Sequence, residues 1–363
     1  MHKWSNVLCA VALVFVVCAG CNTSKFKYGE DKLGNDNVTA APDVTNSDLA
    51  YLESRDEVWK LDLSGTKVTN EGLAHLQGMD KLYALDLQKT NVTGEGLTHL
   101  EGLDNLSGLD LTGTEMSDEG LKKLQALKDL SFLYLRDTKI SDTGLVHLKR
   151  LKGLWVLDLG ETEVTVKGLS HLKALEKLHV LDVSSTNVTD EAVAELKDLD
   201  KLQALDLSKT KVTNAGLTHV ADMEQLRELY LRGTEVTGAG LAHLEGLQSL
   251  RLLELGRTGL TDEGLAHLEG LPNVDYLFLQ NTQITDAGLA HLEGRDTMRE
   301  LDLSGTKVTD EGLSHLKGLE KLEKLYLSGT DVTDEGIQDL KESLPELNVM
   351  TCPRKIVPLG KIG

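Results

Sequence analysis

Apolar residues return along this chain in one fixed order. Over 82–103, Leu82, Leu85 and Leu87 give L-x-x-L-x-L, Val92 follows, and Leu97, Leu100 and Leu103 close the unit. The alternation of Leu85 and Leu87 predicts a short strand with one face in a core. The i, i+3, i+6 spacing of Leu97, Leu100 and Leu103 predicts a short helix with one buried side. Between them Thr93 stands where a helix N-cap belongs, and Ser or Thr holds this position in all twelve copies of the unit, from Thr69 to Thr333. Asp or Glu often follows, as in Asp118-Glu119 and Asp310-Glu311, which suits the positive end of a helix dipole.

The copies keep strict register. Threonine recurs at 66, 90, 114, 138, 162, 186, 210, 234, 258, 282, 306 and 330, always 24 apart. A fixed period of roughly 20–29 residues built on L-x-x-L-x-L is the mark of a leucine-rich repeat. Strands pack ~4.8 Å apart while helices are ~10 Å wide, so stacking one of each per coil must bend the stack. The predicted fold is therefore α/β, a leucine-rich-repeat solenoid shaped as a right-handed horseshoe. Its parallel sheet lines the concave face and its short helices the convex face. Thr90 and its equivalents are expected to bury their hydroxyls against the backbone of neighbouring coils. Glycine precedes the first helix leucine in eleven units and Ala192 in the twelfth, which points to close backbone approach between coils.

The repeats are predicted to fill 44–351, with 44–57 as an N-terminal half-repeat cap because Val44, Leu49 and Leu52 match the helical half of a unit. Residues 352–363 are expected to fold over the open edge at the far end, with Cys352 half-buried there. Before the repeats, Lys3 precedes an apolar run from Val7 to Val17, too short to cross a bilayer as a helix. The run ends in Cys18-Ala19-Gly20-Cys21, which resembles the lipobox of bacterial lipoproteins. This predicts a signal peptide over 1–20, lipid attached to Cys21, and a flexible polar stalk over 21–43. The expected location is the bacterial cell envelope: exported and lipid-anchored, on the outer membrane or a periplasm-facing leaflet.

The unit GLxHLxGLxxLxxLDLSGTxVTDxGL resembles the repeats of ribonuclease-inhibitor-like and F-box-associated leucine-rich-repeat proteins, and of bacterial lipoproteins carrying the same array. The resemblance covers 44–351. It implies the fold. The ubiquitin-ligase role of F-box relatives is not carried over, because a signal peptide stands where that box would be.

A net charge of −20 argues against a nucleic-acid binder, which needs a basic patch. Only Cys352 lies outside the first 21 residues, so no disulfide framework is expected. Between the two strand leucines stands a residue expected on the concave face. It is acidic at Asp62, Asp86, Asp110, Asp158, Asp182, Asp206, Glu254 and Asp302, and aromatic at Tyr134, Tyr230, Phe278 and Tyr326. The acidic row could gather a cationic partner or a hard divalent ion, or be a solvated line of consensus residues. Two of the tyrosines are followed two residues on by arginine, Arg136 and Arg232, while Phe132 shares a strand with Tyr134 and Tyr276 with Phe278. Tyr and Arg dominate binding hot spots, so these residues are the expected partner-binding surface.

Nine histidines recur in the helical half, from His75 to His315. Members one helix width apart, ~10 Å, cannot converge on one zinc ion, so they read as consensus residues of the convex side. Arg295, in place of an apolar helix residue, is expected to snorkel outward. No P-loop, HExxH, GxSxG or metal-binding Cys/His spacing occurs. The chain therefore reads as a non-enzyme with no catalytic residues, cofactor or metal: a membrane-tethered scaffold binding a protein or polysaccharide through its concave face. The alternatives are a self-associating structural envelope protein and a substrate-recognition adaptor of a ubiquitin-ligase-like complex.

Overall fold

A computed structural model describes residues 25–30, 35–352 and 354 of the chain. The signal peptide and the lipidation expected at Cys21 lie outside these residues. The chain forms two compact units, one ending at Thr186 and one beginning at Asn187.

In the first unit, β1 (Phe26–Glu30) and β2 (Asp36–Ala40) form an antiparallel hairpin, and β2 adds in parallel to β3 (Val58–Asp62). This corrects the expectation of a flexible stalk through residue 43. The first coil would otherwise leave its apolar core open on one side, and Phe26, Val38 and Ala40 are buried there. Parallel strands follow: β4 (Ala84–Asp86), β5 (Gly108–Asp110), β6 (Phe132–Tyr134), β7 (Val156–Asp158) and β8 (Val180–Asp182). The second unit continues the pattern with β9 (Ala204–Asp206), β10 (Glu228–Tyr230), β11 (Leu252–Glu254), β12 (Tyr276–Phe278), β13 (Glu300–Asp302), β14 (Lys324–Tyr326) and β15 (Asn348–Met350). Partners differ by the repeat length, as in Leu61↔Leu85 and Leu277↔Leu301. Within each unit, each repeat position therefore stacks on its own copy in the next coil, and the leucines of its coils meet in a dry core.

Three polar devices shape each coil. The first is the turn after the strand, where one residue per coil takes positive φ: Gly65, Gly113, Gly233, Gly305 and Gly329, but also Lys89, Asp137, Glu161, Ser185, Lys209, Arg257 and Asn281. The second is the recurring threonine. Its hydroxyl donates to the carbonyl three residues back in its own coil, as Thr90 to Leu87 (2.7 Å) and Thr306 to Leu303 (2.6 Å). The expected ladder between coils is not formed at this position, because that carbonyl is the nearer acceptor.

The ladder between coils runs instead through the first residue of the helix. Asp142 Oδ1 accepts the backbone N–H of Thr165 (2.7 Å) and its Oδ2 the Thr165 hydroxyl (2.6 Å). Asp190, Asp262, Asp286 and Asp310 do the same for Thr213, Thr285, Thr309 and Thr333. This contact also explains the recurring glycine. A Cβ on Gly168 would lie 2.5 Å from Asp142 Oδ1, and one on Gly96 would lie 2.6 Å from Asn70 Oδ1. Backbone comes nearest to backbone where glycine also holds the acidic position, as at Gly120 against Gly94 and Gly264 against Gly238. Among the described residues no helix is long and apolar enough to cross a membrane.

Candidate binding surface

The acidic row is not a line of solvated charges. Asp110, Asp158, Asp182, Asp206, Glu254 and Asp302 are all buried. One oxygen of each accepts the backbone N–H two residues on: Asp158 from Gly160 (2.9 Å), Asp182 from Ser184 (2.8 Å), Asp206 from Ser208 (2.8 Å), Glu254 from Gly256 (3.0 Å) and Asp302 from Ser304 (2.9 Å). Asp62 and Asp86, half-buried, do the same for Ser64 and Gln88, both at 2.9 Å. Such side-chain-to-backbone bonds fix the turn that ends each strand. Gln88 then joins Asp86 (3.0 Å) to Asp110 (2.8 Å). The row's first task is structural, and only its second oxygens are left to face other groups.

In the first unit those oxygens take Arg136. Its Nε donates to Asp158 Oδ2 (3.1 Å), and its Nη2 to Asp182 Oδ2 and to Ser184 Oγ (2.9 Å). Nη1 reaches Glu161 (3.1 Å). Gly160 gives the guanidinium its room, because a Cβ there would collide with Arg136. Burial works against the arginine's charge, but Asp182 and Asp158 outweigh it and hold the guanidinium above its ordinary pKa. Asp158 is itself raised, first by burial and then by Asp182, with Arg136 pulling the other way. Arg136 is thus the counter-ion of two buried aspartates and not an exposed anchor. Tyr134 is likewise buried, and its hydroxyl is pushed up by burial and then by Asp110 and Asp158. Phe132 packs edge-on against Trp155 (centroids 6.0 Å apart). Trp155 meets His179 at 4.9 Å, and Trp59 stacks on Tyr83 at 4.6 Å. These four were missed in the sequence reading. The signal was there, since each stands two residues before a strand leucine.

The second unit is built differently at the same positions. Phe278 replaces the carboxylate of the row, and Arg354 lies over its ring, Cζ 3.5 Å from the centroid. Arg354 Nη1 stands 3.4 Å from Glu254 Oε2 and Nε 3.4 Å from Glu300 Oε1. Burial raises the Glu254 pKa, opposed by the Gly256 N–H and by Arg354. Glu254 Oε1 also accepts from Gln280 Nε2 (2.7 Å), whose side chain fills the space above Gly256. Arg232, the counterpart of Arg136, therefore finds that space taken. Its Nη1 is buried without a hydrogen-bond partner among the described residues. Burial lowers its pKa, with Glu254 opposing. Tyr230 is half-buried and donates to Glu228 (3.0 Å), Tyr276 is half-buried, and Tyr326 is buried.

Other expectations resolve outside this surface. Cys352 is exposed, not half-buried, because the cap core closes on Leu344 and Leu347 before it. Arg295 turns inward and not out: its guanidinium donates to the carbonyls of Leu268 (2.8 Å) and Leu271 (2.6 Å) in the preceding coil's turn, taking up acceptor capacity left beyond their backbone bonds. His267 pairs with Glu245 (2.8 Å), and His75 and His315 pair likewise with Glu53 and Glu293.

Comparison with known proteins gives the same architecture. A family model described as "Leucine-rich repeat region" matches residues 45–294, and a second, "Leucine Rich repeat", matches 297–317 and 318–341. No curated protein matches the chain in sequence. Among solved structures, an internalin from Listeria monocytogenes is 24% identical with a TM-score of 0.62, covering 84% of this chain and 83% of its own. A leucine-rich-repeat protein from Leptospira interrogans is 18% identical with a TM-score of 0.54, covering 83% of this chain and 80% of its own. At these identities the likeness concerns the fold alone. With the family match spanning more than half of the sequence and every coil built on the same 24-residue stack, the chain belongs to the leucine-rich-repeat proteins.

Proposed function

We propose that this chain is a protein-binding scaffold whose partner lies on the sheet face of the 187–354 unit, and that lipid on Cys21 tethers it in the bacterial cell envelope. One observation carries the reading. Arg232 Nη1, Gln280 Oε1 and Ser304 Oγ, all at one repeat position of that unit, are buried without hydrogen-bond partners among the described residues. A buried polar group left unmade costs about 1–3 kcal/mol. Three along one row form a line of unspent donors and acceptors beside Tyr230, Tyr276 and Phe278. A polypeptide laid across the strands carries the complementary groups on its backbone. The leucine-rich-repeat fold supports the same reading, since repeat arrays present their binding residues on such a surface.

The test is paired capture from envelope extract. One column carries residues 22–363 with Cys21→Ser, the other the same chain with Arg232→Ala, Tyr276→Ala and Ser304→Ala. A protein retained by the first and lost from the second is the expected result. Equal retention by both would move the site off this face.

A further inference from the structure

Arg354 is the one described residue beyond Cys352, and it lies three strands in from β15, over β12. It rests on an aromatic floor, Phe278, between two carboxylates, Glu254 and Glu300. Phe278 and Glu254 are 1% and 2% exposed, so both are sealed beneath the guanidinium and not incidental neighbours of it. Glu254 is held in place by its bonds to Gly256 and Gln280 through Oε1, which leaves Oε2 for the arginine.

We propose that Phe278, Glu254 and Glu300 form a binding site for a guanidinium, that its external ligand is an arginine side chain of a polypeptide partner, and that Arg354 occupies the site in the free chain. The proposal rests on the protein-binding reading above and names the chemistry its partner must carry. A planar guanidinium stacks on an aromatic face and spreads its donors in plane towards carboxylates on either side. A lysine ammonium is a compact point charge and does neither as well. Both ion-pair distances are 3.4 Å, longer than the roughly 2.7–2.9 Å of a tight charge-assisted bond. The tail's arginine therefore holds the site without saturating it, and a better-placed arginine can displace it. The site is also specific to its coils. Of the twelve residues in the row only Phe278 is an apolar ring without a hydroxyl, and only Glu254 is a glutamate.

Occupation by a tethered ligand makes a definite prediction. A tether acts like a local concentration of order mM, so an added arginine peptide must compete with it. The probe is a fluorescent peptide with the sequence of residues 349–359 carrying Cys352→Ser, measured by anisotropy against the folded chain. It is expected to bind the Arg354→Ala chain about tenfold or more tightly than the unaltered chain. The same peptide with its arginine changed to lysine is expected to bind the Arg354→Ala chain at least about tenfold more weakly. Adding Glu300→Gln to that chain, a conservative change at a partly exposed residue, should weaken binding several-fold while leaving the thermal transition in place. Absence of saturable binding to the Arg354→Ala chain would overturn the proposal. So would equal binding of the arginine and lysine peptides, or equal affinity for the two chains. Excess peptide should also elute the protein held by the capture column. A captured protein indifferent to the peptide refutes the guanidinium assignment and leaves the protein-binding reading standing. Peptide binding with no protein captured removes that reading, and the external ligand with it, leaving an internal clasp.

Discussion

Arg136 offers the sharpest test of how the sheet face is held together. Asp158 and Asp182 are each 1% exposed and stand on adjacent strands. Their carboxylates share one cation. At an effective dielectric of ~20, the 3.1 Å contact between Arg136 and Asp158 is worth about 5 kcal/mol of Coulomb attraction, much of it offset by desolvation. Deleting the cation leaves two buried carboxylates facing each other about 5 Å apart, a repulsion of about 3 kcal/mol on the same scale. Arg136→Met keeps the apolar stem and removes the charge with its hydrogen-bond donors. Its expected cost is about 3–5 kcal/mol, the usual result of breaking a buried pair from one side.

The pH dependence fixes the sign. Asp158 is already raised by burial and by Asp182, with Arg136 opposing, so removing the arginine raises it further. A carboxyl raised in the folded chain keeps a proton that the unfolded chain has released. Stability therefore falls as pH rises from about 4, the unfolded value, to the folded pKa, by about 1.4 kcal/mol per pH unit across that window. The Arg136→Met defect should be larger near about pH 7.5 than near about pH 5. Urea unfolding of residues 22–363 with Trp59→Phe, which leaves Trp155 as the one tryptophan, reads the affected coils directly. The Arg136→Met/Asp158→Asn double variant should recover part of the loss, because it removes the repulsion. A cost under about 1 kcal/mol, the same at both pH values, would refute this account. Arg136 would then be the free surface anchor that its sequence context suggested.

Three further outcomes follow from the coils themselves. Asp142→Ala should cost about 1–2 kcal/mol through loss of its two bonds to Thr165. Gly168→Ala should be tolerated far better in that background than alone, since the clashing carboxylate is gone; a double-mutant cycle with no coupling would contradict the ladder. Lys209→Gly should stabilise by about 0.5–1 kcal/mol, the left-handed penalty at φ +55 less the entropy of glycine, measured as a rise in urea midpoint at constant slope. Growth with a clickable fatty acid should label the full chain and not Cys21→Ser, and an unlabelled wild-type chain would remove the tether from the proposed function.

The sequence was most legible where position alone decides the outcome. A strict 24-residue period stacks Leu85 on Leu61 and Leu109 on Leu85, so the strands, their parallel pairing and the leucine core could all be read directly. Polar roles were less legible, because one repeat shows a side chain but not which neighbour it takes. The acidic residue after the N-cap fitted a helix dipole, yet it serves the next coil's threonine. The row between the strand leucines fitted a solvated face. Strands only ~4.8 Å apart leave little water between its side chains, which bury one another. The hairpin of 26–40 offered only Phe26 with Tyr28 and Val38 with Ala40 as alternating apolar pairs, runs too short to stand out from a polar stretch. Arg354 lies outside the repeats, where no period predicts its place. One pairing is legible in the sequence itself: Ala192, the single exception to glycine, follows the one repeat with valine, Val166, at the ladder position.

Within the row, two places carry the same departure. Tyrosine is followed by arginine, and the next repeat has glycine opposite that arginine: Arg136 before Gly160 and Arg232 before Gly256. In the first unit the motif closes on itself, because Arg136 crosses Gly160 and finds Asp182 on the strand beyond. In the second unit the residue equivalent to Asp182 is Phe278, which cannot accept the charge, and Gln280 fills the gap over Gly256. Phe278 for Asp182, Gln280 for Ser184 and Arg257 for Glu161 thus turn a satisfied ion cluster into an unsatisfied one. Arg232 keeps an unpartnered nitrogen, and Glu254 turns its free oxygen to Arg354 from outside the repeats. Restoring the first arrangement should therefore abolish the second. Phe278→Asp with Gln280→Ser gives Arg232 the counterparts of Asp182 and Ser184, and should release Arg354 from the face. A nitroxide attached to Cys352, the one exposed thiol among the described residues, would report that release as faster motion. An unchanged spectrum would mean that the tail is held by contacts other than Phe278 and its two glutamates.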